Sequence, residues 1–364
     1  NVLIKTAVIT LGFLLGAALI FLVTRQLIGQ GISHGGNRKR IVGHFPMESQ
    51  QYTFQNTGNE ISTRSTKFIF HVSTFLQNLR YYFVGRFTGL LVYFFPAFVS
   101  LILALPIFGQ PKTTRSPPGR LSFWLVCLGL ILFHIIYIPS NYHGGSCSIG
   151  NRYLISYLPA FFFLLKESPK SRTLLFTALV TALLTGPIAL NPVDSMASYR
   201  DVSKRATFEK FPLEISLLNS WPIDDTGHVR VDFKDYYIYF ADDNHWGKEL
   251  DGFWVKGNAR ASFVLRCWKP VTSFHIHLRN GASDNTLMIR LGKAVRKFNA
   301  EPGQHISGDI EPGKPELFYN LEGRPSYCYR AFVETEDGFI PKFSEPGSTD
   351  TRFLGVFVQI QINS

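Results

Sequence analysis

Twelve residues at positions 141–152 (NYHGGSCSIGNR) hold a histidine, a glycine pair and an arginine between two apolar stretches. A cationic loop beside lipid is costly, so such residues usually serve a substrate. Arg152 stands where the loop becomes a helix, and a guanidinium there can grip a phosphate through paired N–H donors. His143 is placed to donate to the same anion or to move a proton. Gly144, Gly145 and Gly150 allow tight turns and close approach to a ligand. Arg80 and Arg86 flank a Tyr-Tyr-Phe-Val-Gly run and add cations at the same level. The bland alternative is a glycine-rich turn whose arginine snorkels to lipid headgroups.

Other residues carry less chemistry. His275 and His277 lie two apart on a strand and share a face, but two ligands do not make a metal site. Asp242-Asp243-Asn244 matches no calcium-loop spacing and reads as a hairpin turn. There is no phosphate-binding glycine loop, nucleophile elbow or dinucleotide fingerprint. Activating a hydroxyl acceptor calls for a general base. In the outward-facing part of the first 190 residues Glu48 and Glu60 are the candidates, and neither has a convincing setting.

The elements that must position these groups divide the chain. Residues 1–190 carry 16 Lys and Arg against three acids (Glu48, Glu60, Glu167), whereas residues 191–364 carry 21 against 23. The basic excess therefore lies in the apolar half, which favours lipid phosphate over nucleic acid as its partner. Five apolar runs lie there: Thr6–Thr24, Phe87–Phe108, Leu121–Ser140, Tyr153–Leu165 and Thr173–Leu190. A membrane helix needs about 20 apolar residues. The expected fold is therefore a polytopic α-helical membrane domain over 1–190, with a long outer loop at 25–86. A helical linker over 191–225 and an antiparallel β-sandwich over 226–364 follow. Basic residues between the runs put the loop, the linker and the sandwich outside. Thr66–Tyr82 reads as an interfacial helix.

The sandwich rests on period-two segments, among them VRVDF, YYIYF, GFWVKG, ASFVLRC, TSFHIHLRNG, NTLMIRLG, SYCYRAFVE and LGVFVQIQI, separated by turn residues. Cys127 lies in an apolar run and Cys147 in the loop. Cys267 and Cys328 lie in candidate strands, and their pairing is left open. The chain starts at Asn1 and is apolar at once, which reads as a piece of a longer protein.

Three motifs together resemble bacterial multi-spanning membrane glycosyltransferases of the GT-C type, relatives of the protein mannosyltransferases and aminoarabinose transferases. One is Gly144-Gly145 through Gly150-Asn151-Arg152-Tyr153-Leu154 to Leu158-Pro159-Ala160-Phe161. Another is Tyr82-Phe83-Val84-Gly85-Arg86-Phe87-Thr88-Gly89-Leu90, running on to Tyr93-Phe94-Phe95-Pro96. The last is Asp337-Gly338-Phe339-Ile340-Pro341 with Asp350-Thr351-Arg352-Phe353-Leu354-Gly355-Val356. The resemblance covers most of the chain.

It implies a transferase of the bacterial cytoplasmic membrane that moves a sugar from a polyprenyl-phosphate donor to a glycan, lipid or protein acceptor on the outer face. Arg86, His143, Asn151 and Arg152 become the residues expected to hold the donor's anionic end. An arginine or a divalent metal ion would neutralise the leaving phosphate. The family's catalytic carboxylate has no matching position here and is expected upstream. The alternative is a non-enzymatic, membrane-anchored glycan-binding or envelope-assembly protein, with the sandwich as its working part. A transporter would want charges near mid-membrane, where His134 and the prolines of the second run are the features present.

Overall fold

The computed structural model describes residues 69–104, 120–139, 142–144, 150–155, 158–165, 169–192, 208, 210–220, 230–233, 236–319, 323 and 325–363, with scattered residues before position 69. The loop acids Glu48 and Glu60, and Gly145 and Cys147, lie outside the described residues.

The helical half begins with α1 (Val72–Val84), which overlaps the helix expected over Thr66–Tyr82 and buries one face against protein. Thr74, Asn78, Tyr81 and Tyr82 are buried, while Val72 and Leu76 stay exposed. Asn78 donates to Pro139 O (2.9 Å), tying α1 to the end of α4. A turn at 86–88 leads into α2 (Leu90–Tyr93) and α3 (Phe95–Ala104). Then come α4 (Arg120–Tyr137), α5 (Arg152–Ile155), a 3-10 stretch over Leu158–Leu164 and α6 (Ser171–Leu190).

These elements correct the expectation of a polytopic helical membrane domain. Among the described residues, α6 alone is long and apolar enough to cross a bilayer, with mean hydropathy 1.9. Eleven of its twenty residues are exposed, and Leu184 is the one fully buried, packed with Val180 and Ile188 against α2 and α3. The run Phe87–Phe108 is interrupted: Phe94 leaves the helical region at φ −135°, ψ 45°, and Pro96 opens a new helix. Proline lacks an amide donor and is tolerated in a first turn, so it starts α3 and does not extend α2. The run Tyr153–Leu165 splits into one α turn and a 3-10 stretch. The apolar part of α4, Ser122–Tyr137, falls short of a full span. Thr6–Thr24 lies largely outside the described residues.

The C-terminal half is all antiparallel. Its strands are β1 (Arg230–Asp232), β2 (Tyr236–Phe240), β3 (His245–Glu249), β4 (Gly252–Lys256), β5 (Arg260–Cys267) and β6 (Ser273–Asn280). They continue as β7 (Asn285–Leu291), β8 (Ala294–Ala300), β9 (His305–Ile310), β10 (Glu316–Tyr319), β11 (Pro325–Thr335) and β12 (Leu354–Asn363). A seven-stranded sheet runs β8-β7-β11-β5-β2-β1, with β10 added beside β11, and a five-stranded sheet runs β9-β6-β12-β4-β3. Their facing sides share one core, including Ile238, Phe263, Leu278, Ile289, Tyr329 and Val358. The half is thus a β-sandwich.

The two outer faces differ. The seven-stranded sheet packs outward on the helical half through Tyr237, Tyr239, Val264, Phe318 and Cys328, which meet Tyr81, Tyr82 and Leu213. β2 is therefore buried at every residue, and YYIYF has no polar alternation to show. The five-stranded sheet leaves its outer face partly open: β6 alternates buried and partly exposed residues, while Trp254 and Phe357 are buried there with Phe339 and Leu354.

Register decides the cysteines. Cys267 pairs across the sheet with Tyr327, not Cys328. Side chains one residue apart point to opposite faces. Cys267 thus enters the inter-sheet core, Cys328 faces the helical half, and both remain thiols. Burial pushes the Cys328 thiol up to about 11.

Candidate functional site

The residues expected to hold a phosphate keep different partners in the fold. The Arg86 guanidinium is buried, donating to Phe208 O from Nε (3.1 Å) and to Ala241 O from Nη1 (3.1 Å). It fastens the helical half to the end of β2. Asn151 is buried too, and its Oδ1 accepts the Leu154 amide (3.2 Å), capping α5. The His143 ring is buried, and its carbonyl accepts the Arg152 amide (2.8 Å). Gly144 (φ 96°) and Gly150 (φ 67°) adopt left-handed conformations that close this loop. Arg152 is the exposed member, with its guanidinium 6.0 Å from the Tyr153 ring centroid.

A carboxylate absent from the sequence reading sits nearby. Glu214 is fully buried, and its Oε1 accepts from the amides of Phe87 (2.8 Å) and Thr88 (3.0 Å) and from Thr88 Oγ1 (3.1 Å). Burial pushes its carboxyl up to about 7, against the pull of those hydrogen bonds. Tyr142 lies beside it, its hydroxyl 3.4 Å from Thr88 Oγ1. Gly85 leaves room for this approach, because a Cβ there would collide with Glu214 Oε1 and Tyr81 O. The Gly85-Arg86-Phe87-Thr88-Gly89 motif is thereby a clamp between halves. A Leu-Glu-Ile-Ser segment gives no hint of this at the sequence level.

The open face of the five-stranded sheet gathers another set of polar groups. Cross-strand partners share a face, and here they form rows. One row is Asp309, His275 and Gln361, and a second is Ser307, His277 and Gln359. The third is His305, Arg279, Phe357 and Trp254. His275 Nδ1 lies 2.7 Å from Asp309 Oδ1, which also accepts from Asn363 Nδ2 (2.9 Å). These bonds hold the Asp309 carboxyl below the usual range. His305 Nδ1 stands 3.2 Å from His277 Nε2. Arg279 covers Trp254 and Phe357 at 5.4 and 5.0 Å from their ring centroids. At the sheet edge Trp246 is partly exposed, with Lys256 and Arg352 over its ring. Arg352 is held by Asp350 and Glu249.

Among the described residues no group of three or more His, Cys, Asp and Glu is placed to hold a metal ion. Asp242 forms the hairpin turn: its Oδ1 accepts the Asn244 amide (3.0 Å) and its Oδ2 the Ser262 amide (2.7 Å).

No family model matches the chain, and no curated protein matches it. Among solved structures, a part of the chain resembles the secreted serine protease VesC from Vibrio cholerae at 12% identity and TM-score 0.22, covering 35% of this chain and 24% of VesC. Another is TmCBM61, solved with β-1,4-galactotriose, at 9% identity and TM-score 0.19, covering 36% of this chain and 91% of that one. A third is the family GH115 4-O-methyl-α-glucuronidase BtGH115A at 9% identity and TM-score 0.19, covering 51% and 25%. Likeness at these scores carries no argument about fold or function.

Proposed function

We propose that this protein is a membrane-attached glycan-binding protein whose open five-stranded face holds a polysaccharide chain. The observation that carries the reading is the set of cross-strand rows on that face. Sugar hydroxyls both donate and accept, and His, Gln, Asn and Asp side chains offer complementary groups in fixed planes. Trp246, partly exposed at the sheet edge, borders them with apolar surface, which suits the C–H face of a sugar ring, while Trp254 and Phe357 are buried beneath. The opposite sheet is covered by the helical half, so this face is the one free to work.

Attachment to a membrane is supported by the exposed apolar side chains of α6 and its surroundings. Leu175, Leu179 and Leu183 of α6 and Phe163 of the 3-10 stretch are more than half exposed. Apolar surface of that extent needs lipid or protein against it.

The test uses the whole chain in detergent and affinity electrophoresis through gels holding a neutral β-glucan, a galactan or a mannan. At least one polymer should retard the protein. The His277→Ala/Gln359→Ala double variant should lose about tenfold or more, with an unchanged unfolding midpoint. No retardation by any polymer, or equal retardation of the variant, removes the reading.

Sugar transfer from an anionic lipid donor is a second reading, favoured by the exposed guanidinium of Arg152 at the start of α5. Arg152→Ala should abolish turnover of a polyprenyl-phosphate sugar, and unchanged turnover would eliminate this reading.

A further inference from the structure

A cavity of about 410 Å³ opens at the seam between α1 and the sandwich, lined by Gln77, Arg80, Tyr81, Pro212, Glu316 and Arg330. Its size falls within the range of about 300–1,000 Å³ common to small-molecule sites. Its walls come from both halves and from the segment joining them. It is distinct from the open sheet face, because β10 and β11 belong to the other sheet.

The charges within it do not cancel. Arg330 is engaged: Nε donates to Glu316 Oε1 (2.6 Å), and Nη2 to Glu316 Oε2 (3.1 Å) and Leu213 O (3.2 Å). That pair is neutral as a unit. Arg80 is exposed and has no carboxylate or carbonyl partner among the described residues. Among the described residues the cavity therefore carries one uncompensated positive charge. Gln77 brings a buried Oε1 with no hydrogen-bond partner, an acceptor awaiting a donor. Burial raises the Tyr81 phenol to about 12, so its hydroxyl stays neutral. Pro212 adds an apolar wall.

These groups select a ligand. One free guanidinium suits a monoanion. The neutral Glu316–Arg330 pair offers nothing to balance a second negative charge, which disfavours a phosphomonoester dianion. The Gln77 carbonyl asks for a hydroxyl on the same molecule. We infer that the seam cavity binds a monoanionic hydroxylated carboxylate of the uronic-acid class, through Arg80 to its carboxylate and Gln77 Oε1 to a ring hydroxyl.

The experiment is calorimetric titration of the full chain in detergent with D-glucuronate, D-glucose, D-glucose 6-phosphate and a short oligogalacturonide. Glucuronate should bind at about 1 mM or tighter, with glucose and glucose 6-phosphate at least about tenfold weaker. Arg80→Gln and Gln77→Leu should each weaken glucuronate about tenfold or more at an unchanged unfolding midpoint, since Arg80 is exposed and Gln77 partly so. Tighter binding of the oligogalacturonide marks a uronate within a polymer as the source, and equal binding marks the free sugar. The His277→Ala/Gln359→Ala variant should bind glucuronate like wild type, so the two sites fail or stand separately. Absence of glucuronate binding overturns the assignment. So does equal affinity for glucose, or glucuronate affinity unmoved by Arg80→Gln.

Discussion

Replacing Glu214 with glutamine tests whether a titrating carboxyl clamps the two halves together. Burial lifts the carboxyl from 4.5 to about 7. At about 1.36 kcal/mol per pH unit, that displacement corresponds to about 3 kcal/mol between the two protonation states. The folded value is raised, so the folded chain binds the proton more tightly than the unfolded chain. The contribution to stability is full below about pH 4.5 and falls as pH rises toward 7. Above that, folding must bury a charge. Glu214→Gln keeps an oxygen for the Phe87 and Thr88 donors and removes the titration. Denaturant unfolding of both proteins, followed by tryptophan fluorescence between pH 5 and 8, measures the effect. The wild type should lose about 2–3 kcal/mol more than the variant across that range. Taking the difference cancels the histidines common to both. Parallel pH profiles would refute the buried, titrating carboxyl.

Gly85→Ala should destabilise the fold by about 1–3 kcal/mol in the same assay, because its Cβ enters the space of Glu214 Oε1 and the Tyr81 carbonyl. Arg152→Ala should change unfolding free energy by no more than about 0.5 kcal/mol, since its side chain is exposed and joins no ion pair among the described residues. Cys267 and Cys328 should both alkylate on denaturation without reductant, as read by mass spectrometry. Protection of the two until reductant is added would contradict their opposite-facing register.

The strand pattern was legible where one face meets water. TSFHIHLRNG alternates because β6 lies between a core and solvent, whereas β12 alternates in burial only after Val358, its first five residues being buried. β3, β8, β9 and β10 were not separated as strands. HWGKE, AVRKFNA and HISGDI are polar, exposed or edge segments whose sheet membership comes from neighbours and not from local preference. The helical half misled for the converse reason. Apolar content marks what must leave water, but lipid and protein satisfy it alike. Phe87, Leu90, Phe161 and Leu164 read as membrane and pack against protein.

The candidate site divides along the same line. Sequence placed cations near one another and identified Arg86, His143, Asn151 and Arg152. The fold turned Arg86 to backbone carbonyls and Asn151 to a helix cap, and left Arg152 exposed. A guanidinium's chemistry is the same in each place, and its partners are fixed by what folding brings within 3 Å or so. Composition and period alone determined that an apolar basic half precedes a β-sandwich. Tertiary structure decided which sheet face stays open, that Glu214 meets Thr88 across 126 residues, and that Arg80 is left with a charge to share. Those outcomes depend on long-range contact, which residue types and local spacing do not encode.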